Sequence, residues 1–580
     1  MMRARILGLL CALAACASHH DTGKNDADAT LSIGPPTSEL MIVNGAPAME
    51  DFTATLTYPD GSTKDITDQV TFTIDSGFGH FTAQTLAMTS AGKATVLGAW
   101  STKSATAQVI GRVKDIRVDP SLPANTPDLF ANGTEDPATA PTVVYPAVGV
   151  VMPRNLGDFE VHWTDATAHD IYEVSLTTEF ADVRAYVGGG NGDAAAGPNP
   201  GWMAFLASEW LAAVSYEPTV QFRVRAIQSS NPGTIGAGQP QLVKLTNEDM
   251  LGGMYYWAST SSNGGAYGIF RHDMSQPGVP AEQYMTTVQA GRCVACHVLS
   301  RDGKEMAITY DGGDKTASMV DVASSARQDL SNRWNFGTFS PDGTQFLAVS
   351  DGVLTVRRYS DQTVLATMPA AGPVSHPDLS PDGTKLVYVR KGVDGSDWAF
   401  GSGDIYVRSY DQATMTFGPE TLLVTNGANN YYPSFSPDNK WVLFNKGDNY
   451  VNDAAGQHMA YNNPNATVWV IPADGSGPAL ELAALDQAPG LTNSWARWAP
   501  FQQTLGAANE PMYWVTVSSK RNFGVRLVNV GRPQIWMTPF FPNQAAQSLD
   551  PSNVAFRLPF QDIASNNHIA QWTERVVAPQ

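Results

Sequence analysis

The residues of this chain that could carry chemistry are two cysteines and a histidine in one pentapeptide, Cys293-Val294-Ala295-Cys296-His297. Two thiols at this spacing can add across the two vinyl groups of one porphyrin, and the histidine that follows is placed to bind its iron. The pattern therefore predicts one covalently attached haem c, with Cys293 and Cys296 as thioether donors and His297 as the proximal iron ligand. A redox-active dithiol is the alternative interpretation of the same spacing.

The cysteine count narrows this choice. The chain has four cysteines, and the other two, Cys11 and Cys16, lie near the N-terminus. No further thiols are available to complete an all-cysteine zinc site. A thioredoxin-like pair would open a helix after a strand in a βαβ unit, and the sequence around Cys293 shows no such pattern.

The first residues have the features of a bacterial export signal. Arg3 and Arg5 precede a short apolar run, and the small residues before Cys16 resemble a lipobox, whose cysteine is acylated. We therefore expect a signal peptide over residues 1–15 and a lipid anchor at Cys16, in the outer membrane or on the cell surface rather than in the inner membrane. An ordinary signal peptide with a chance cysteine is the alternative. Because haem is attached after export in bacteria, both motifs predict the same compartment.

The charge of the chain limits its partners. The formal net charge is −19 at pH 7. Such a charge disfavours nucleic acid and bare anionic lipid surfaces as partners, so we expect membrane contact through the lipid anchor only. A basic redox partner protein would suit this charge better. Calcium binding by the acidic insertions stays open.

Two modules are expected before the region of the pentapeptide. Residues 16–39 are polar and without periodicity, which predicts a flexible tether. Residues 40–114 alternate as short strands around turns such as Pro59-Asp60-Gly61, and they resemble bacterial Ig-like domains. A linker rich in Pro, Asn, Asp and Thr is predicted over residues 115–143. Residues 144–248 alternate again and resemble a fibronectin type III module.

A four-residue turn repeats in the rest of the chain. It occurs as Ser340-Pro341-Asp342-Gly343, Ser380-Pro381-Asp382-Gly383 and Ser436-Pro437-Asp438-Asn439, and an apolar strand follows each copy. Pro presets the turn and Gly or Asn accepts a positive φ, so we expect hairpins in which the Asp is structural. Repeats at forty to about sixty residues with four strands each are typical of a β-propeller.

These turns and their surroundings resemble the repeats of TolB-like (PD40) propellers over residues 250–580. The resemblance implies an all-β fold with six blades. The segment from Cys296 to Gly303 aligns with the segment from His376 to Gly383, with Arg301 in place of the proline, so the haem motif falls on the first strand of the second blade. The first blade lacks an inner strand while a C-terminal strand is left over, and we expect that strand to close the ring.

Three histidines are candidates for the distal iron ligand. Strand exchange would bring His568 beside the haem-bearing blade, His376 aligns with Cys296 two blades onward, and His458 lies in an insertion that could cover the haem. Arg497, on the inner strand of the last blade, could donate to a haem propionate or pair with a turn Asp.

Three functions are compatible with these features. The first is a lipid-anchored monohaem cytochrome that transfers electrons. The second is a haem enzyme with an open distal site, acting on peroxide or a small nitrogen compound. Its arrangement would be similar to that of the hydrazine synthase alpha subunit, although a second C-x-x-C-H is absent here. The third is a surface binding scaffold with a structural haem.

Overall fold

The computed structural model describes residues 25–197, 199–214, 217–259, 266–312, 316–330, 333–393, 395–448, 459–488 and 490–578. The expected signal peptide, Cys16 and His458 lie outside the described residues. The all-β prediction is confirmed, since strands form nearly all of the regular structure. Within the described ranges no helix has the length and hydrophobicity that a membrane span requires. The α-helices are α1 (Thr126–Asn132), α2 (Ala207–Val214), α3 (Thr287–Ala290) and α4 (Pro542–Ala545).

The chain folds into two compact units. The first comprises the residues up to Leu40, Pro47–Met88 and Lys93–Ile110. The strands up to this boundary are β1 (Thr30–Gly34), β2 (Thr37–Val43), β3 (Ala48–Asp51), β4 (Thr53–Thr57), β5 (Thr63–Asp65), β6 (Thr71–Thr73), β7 (Gly79–Thr82), β8 (Thr85–Met88), β9 (Gly92–Trp100) and β10 (Lys103–Val118). Antiparallel pairs join β4 to β1 and β5, and β8 to β3 and β7. The rings of Phe52, Phe72 and Phe81 meet in the core at centroid distances of 5.6 to 6.2 Å.

The first unit begins earlier in the chain than the sequence predicts. Residues 16–39 were expected to form a tether, but β1 and the start of β2 lie within them. Leu31 and Ile33 alternate with polar residues along β1 and are buried. A strand with only two buried side chains has too little periodicity to be recognised in a polar segment.

The second unit comprises Met41–Ala46, Thr89–Gly92 and Gly111–Gln580. It therefore contains the second module and the repeat region. The strands of the module are β11 (Thr134–Asp136), β12 (Thr142–Tyr145), β13 (Val151–Met152), β14 (Phe159–Thr164), β15 (Ile171–Thr177), β16 (Ala181–Gly188), β17 (Gly201–Phe205), β18 (Thr219–Gln228), β19 (Asn231–Ala237) and β20 (Gln241–Leu245). β15 lies between β16 and β18, and β14 lies between β12 and β17, all antiparallel.

Residues 115–143 are not the linker that their composition predicts. They include α1, β11 and the start of β12. Phe130 holds α1 against the module core, where its ring lies 5.4 Å from that of Tyr186. Leu122 and Leu129 pack against the same core, so a few apolar residues order this polar segment, and composition alone does not reveal them.

The second module packs directly on the repeat region. The Arg526 guanidinium donates to Glu160 at 2.8 Å, and Thr246 forms a β-bridge with Leu505. Residues 144–248 therefore belong to one compact unit with the repeats that follow.

Antiparallel units of four or five strands follow one another in the repeat region. Their strands are β21 (Gly253–Ser259), β22 (Tyr267–Asp273), β23 (Glu282–Thr286), β24 (Val294–Leu299), β25 (Glu305–Tyr310), β26 (Ala317–Asp321), β27 (Arg327–Leu330), β28 (Phe336–Phe339), β29 (Gln345–Ser350), β30 (Val353–Arg358), β31 (Val364–Thr367), β32 (Val374–Leu379), β33 (Lys385–Lys391), β34 (Gly403–Asp411), β35 (Thr416–Phe417), β36 (Thr421–Val424), β37 (Asn429–Phe435), β38 (Trp441–Gly447), β39 (Thr467–Pro472), β40 (Leu480–Glu481), β41 (Ser494–Leu505), β42 (Glu510–Ser519), β43 (Gln534–Phe540), β44 (Phe556–Arg557) and β45 (Asn566–Thr573).

The innermost strands of these units are β45, β24, β28, β32, β37 and β41, and each contacts the next in a closed cycle. This arrangement is a β-propeller. The C-terminal β45 pairs antiparallel with β21, from Gly253 opposite Thr573 to Ser259 opposite Asn566. The expected exchange of the C-terminal strand is therefore confirmed.

The repeated turns are held by their own side chains. In each turn the Ser hydroxyl donates to the Asp two residues later, at 2.7 Å for Ser340, 2.6 Å for Ser380 and 2.5 Å for Ser436. The turn after the haem motif has the same bond, 2.9 Å from Ser300 to Asp302. Arg301 therefore replaces proline without changing the turn, as the alignment predicts.

The closing strand should carry much of the stability of the second unit. A chain that ends at Asp562 lacks the eight residues of β45 and leaves β21 as an open edge. At roughly 1 kcal/mol net for each lost ladder hydrogen bond, we expect the free energy of unfolding to fall by at least about 5 kcal/mol. Denaturant titration measures it, with a chain ending at Ala578 as the control. Equal stability of the two chains would contradict the role of β45.

Candidate functional site

The pentapeptide lies on an irregular part of the innermost strand β24. Opposite β25, Val294 faces Tyr310 and His297 faces Ile308, so β24 has one residue more than its partner. A β-bulge of this kind bends a strand and redirects its side chains. Cys296 packs beside a cluster that includes Trp334, while His297 lies against β21 of the neighbouring sheet.

The same bulge occurs in other innermost strands. The register shifts between Ser375 and Asp378, between Tyr431 and Ser434, and between Ser494 and Arg497. At each shift one residue has a positive φ, which is uncommon outside glycine. These residues are His376 at 47°, Tyr432 at 54° and Trp495 at 54°, and Ile569 on β45 has 58°.

Four of the rings at this level pack against one another, and we call them the aromatic tier: Phe336, His376, Tyr432 and Trp495. The His376 ring lies 3.9 Å from that of Phe336 and 4.7 Å from that of Tyr432, and Tyr432 stacks on Trp495 at 4.0 Å. Phe336, His376 and Tyr432 each stand four residues before the serine of a repeated turn, as Cys296 stands before Ser300. Cys296 therefore occupies the equivalent position on β24.

Both cysteines of the pentapeptide are unpaired and partly exposed. Burial raises the pKa of each thiol, and the Thr309 hydroxyl opposes this for Cys296. The thiols are thus protonated at neutral pH and available for addition to vinyl groups.

The His297 imidazole is buried, with 2% of its surface exposed. Nε2 donates to the Tyr255 carbonyl at 3.4 Å, which is long for a hydrogen bond, and Nδ1 has no partner in the described part of the chain. Burial lowers the pKa of His297 to about 4, with a further contribution from the charge of Arg497. A neutral imidazole is the form that binds metals.

A second imidazole, that of His568, lies beside this strand and is partly buried, with its Nδ1 atom inaccessible to solvent. It is next to Trp257, at 4.7 Å between the rings, and it stacks on Tyr461 at 5.1 Å. Trp257 donates from Nε1 to the Val294 carbonyl at 2.9 Å, which ties it to the start of the pentapeptide. Burial, together with the charge of the neighbouring His297, lowers the pKa of His568 to about 3. Its Nδ1 has no hydrogen-bond partner among the described residues.

The structure places the other predicted residues on other innermost strands, His376 on β32 and Arg497 on β41. His376 is 3% exposed, and neither of its ring nitrogens has a partner in the described ranges. Arg497 lies two residues after Trp495, and its Nη1 donates to the carbonyls of Tyr432 and Ala496 at 3.3 and 2.9 Å. Within the described chain it forms no salt bridge with a turn aspartate. Its contact with a haem propionate stays a prediction.

Sequence reasoning missed the aromatic neighbours of the site. Trp257 and Tyr461 contact His568, and Phe336, Tyr432 and Trp495 line the axis. Counting four residues back from the serine of each repeated turn would have identified Phe336 and Tyr432. No repeat signal points to Tyr461, because it lies in an insertion.

The donors around β24 fit a covalently held haem. Two unpaired thiols have the required spacing, and the histidine that follows them is neutral with a buried nitrogen lacking a partner. A second such histidine lies on the adjacent innermost strand. The described residues contain no group of three or more His, Cys, Asp or Glu side chains that could hold a metal ion by themselves.

Fold and site together define a β-propeller protein with a thiol pair and two imidazoles beside one innermost strand. No protein-family model matches the chain, and no curated protein matches it. Among solved structures, TolB from Acinetobacter baumannii has a TM-score of 0.37 at 14% identity, over 65% of this chain and 86% of that one.

Two further solved structures are similar at the same level. Hydrazine synthase of Kuenenia stuttgartiensis has a TM-score of 0.29 at 13% identity, over 57% of this chain and 76% of that one. Oligogalacturonate lyase from Vibrio parahaemolyticus also has a TM-score of 0.29, at 12% identity, over 53% of this chain and 86% of that one. At such scores the likeness carries no argument, and the propeller rests on the strand pairings of the chain itself.

The two thiols should differ in reactivity before any haem is attached. Cys293 precedes β24, whereas Cys296 lines the axial cavity between β24 and the neighbouring strands. Because thiolate is the reactive form and both pKa values are raised, alkylation by iodoacetamide should be slow at pH 7 and faster at pH 9. We expect Cys293 to react at least about tenfold faster than Cys296, as measured by peptide mass spectrometry with time. Equal rates would show that Cys296 is not shielded.

Proposed function

We propose that this protein is a monohaem c-type cytochrome that transfers electrons. Cys293 and Cys296 hold the haem through thioethers, His297 is the proximal iron ligand and His568 is the sixth ligand. The observation that carries the proposal is the pair of neutral imidazoles whose buried Nδ1 atoms have no partner in the described residues, beside two unpaired thiols. Bound there, haem would supply reversible one-electron chemistry at iron.

The energetics of burial support a ligand role for the two histidines. A buried polar atom without a partner costs about 1–3 kcal/mol, so native proteins rarely leave one. His297 and His568 each have a buried Nδ1 atom without a partner in the described residues. The two rings are close enough for the charge of His297 to lower the pKa of His568. A metal ion that accepts their lone pairs would remove this cost.

The surroundings of His568 suit electron transfer. Trp257 and Tyr461 contact its ring from two directions, and the Trp257 indole is itself fixed by its bond to Val294. A ring held in this way keeps its orientation when the charge at a bound metal changes. His376 is the alternative sixth ligand, since it occupies the position equivalent to Cys296 on β32.

The finer parts of the proposal concern architecture and location. The propeller has six blades of the TolB-like type, and the N-terminal modules are Ig-like and fibronectin type III-like. The closed cycle of innermost strands supports the six-bladed ring. The protein is exported and anchored through a lipid at Cys16, in the outer membrane or at the cell surface, and its redox partner is a basic protein. The lipobox and the charge of −19 support this.

A haem enzyme is the second candidate function. A cavity of about 140 Å³ is lined by Cys296 and His297, and this space favours a small substrate near the haem. In that case the iron would keep an open coordination position, and His568 would not bind it.

Optical spectra of the protein matured in a host competent for cytochrome c assembly test both functions. We expect covalently bound haem, a low-spin spectrum and no reaction with carbon monoxide. His568→Ala should turn the spectrum high-spin and allow carbon monoxide to bind, because it removes the sixth ligand. His272→Ala is the control, since His272 is also buried but stacks on Phe560 at 4.0 Å.

Three results would count against the proposal. A colourless protein without the mass of the haem contradicts the attachment altogether. A high-spin iron in the unmodified protein that binds carbon monoxide favours the enzyme. An unchanged spectrum in His568→Ala removes His568 as the ligand and makes His376→Ala the next variant.

A further inference from the structure

On the turn side of the aromatic tier, the innermost strands enclose the cavity of about 140 Å³. Residues of all six strands line it, and Pro341 and Pro437 of the repeated turns extend the lining to the face that carries those turns. An engineered apolar cavity of ~150 Å³ in another protein binds benzene, so this space is large enough for a small organic molecule.

The lining of the cavity includes two partly buried groups of opposite charge, Asp378 on β32 and Arg497 on β41. In the described part of the chain no salt bridge joins them. The backbone holds each one separately, since Phe435 N donates to Asp378 Oδ2 at 2.8 Å and Arg497 Nη1 donates to two carbonyls. Buried charges are normally paired, because an unpaired charge away from water is costly.

Both groups retain hydrogen-bonding capacity. Arg497 Nε and Nη2 form no hydrogen bond with the described residues, and Asp378 Oδ1 has only a 3.5 Å contact with the Thr338 hydroxyl. The cavity wall also contains the aromatic rings of Trp334 and Trp495. A guanidinium suits a carboxylate, while a carboxylate and aromatic rings suit an ammonium group.

We propose that this cavity binds a small zwitterion, such as a short amino acid, with its ammonium group at Asp378 and its carboxylate at Arg497. The two protein charges are kept apart on β32 and β41, and a dipolar molecule is the ligand that satisfies both. Cys296 and His297 also line this cavity, so the proposal requires that the haem proposed above leaves Asp378 and Arg497 free.

Titration calorimetry on the haem-loaded full chain at pH 7 tests the proposal. The probes are glycine, β-alanine and 4-aminobutyrate, which differ in the distance between their charges, with acetate and methylammonium as single-charge controls. We expect at least one zwitterion to bind at least tenfold more tightly than either control. Acetate binding as tightly as the best zwitterion, or no zwitterion binding up to about 10 mM, would overturn the proposal.

Variants assign the binding to the two charges. Asp378→Asn and Arg497→Gln should each weaken binding of the best zwitterion at least tenfold. Asp361→Asn and Arg358→Gln are the matched controls, because these residues form an exposed ion pair at 2.8 Å and should leave the affinity unchanged. Unchanged affinity in either cavity variant would overturn the proposal. If a cavity variant does not fold, the comparison of probes on the unmodified chain decides.

The same experiment separates this proposal from that of the haem. Absorbance and mass report haem attachment, and calorimetry reports the cavity. If Arg497 binds a haem propionate instead, the haem-loaded chain binds no zwitterion, so this proposal fails while the covalent haem remains.

Discussion

The pairing of β45 with β21 is the constraint on which the rest of the repeat region depends. It joins the last strand of the chain to the first sheet of the propeller, so no sheet edge remains open at the point of closure. The closed cycle also fixes the height of every innermost strand relative to its neighbours. His568 reaches the side of β24 only because this strand is contributed from the C-terminus, some 270 residues after the pentapeptide.

Bulges on the innermost strands then determine which side chains meet at the axis. A residue with a left-handed backbone conformation costs on the order of 1–3 kcal/mol unless it is glycine, and four of these strands each have one at the bulge. The packing of Tyr432 on Trp495 and of His376 on Phe336 offsets part of this cost. Cys296 has the equivalent position without a positive φ, so the strand with the pentapeptide differs from these four strands.

Repeats made the larger part of the fold predictable. The serine and aspartate of each turn form a hydrogen bond within three residues, so the tetrapeptide predicts the turn wherever it occurs. Counting the strands of each repeat predicts that the C-terminal strand with His568 completes the first sheet. The segments around Leu31 and Phe130 were not predictable, since a few buried side chains order them through contacts distant in sequence. Only part of the site could be predicted. The pentapeptide identifies its own thiols and imidazole, but the packing of Trp257 and Tyr461 on His568 depends on the pairing of β45 with β21 and on the insertion that contains Tyr461.

The innermost strands carry two chemical environments along one axis. On the side where the innermost strands begin lie Cys293, His568 and rings that exclude water, which suits a neutral ligand set. On the side of the turns lie Asp378 and Arg497, whose charges would be costly without partners. His297 lines the same cavity as Arg497, and the charge of Arg497 contributes to the low pKa of His297. A charge bound or neutralised at Arg497 would therefore change the electrostatic potential at His297, and this is the physical route by which the two ends of the axis could be coupled.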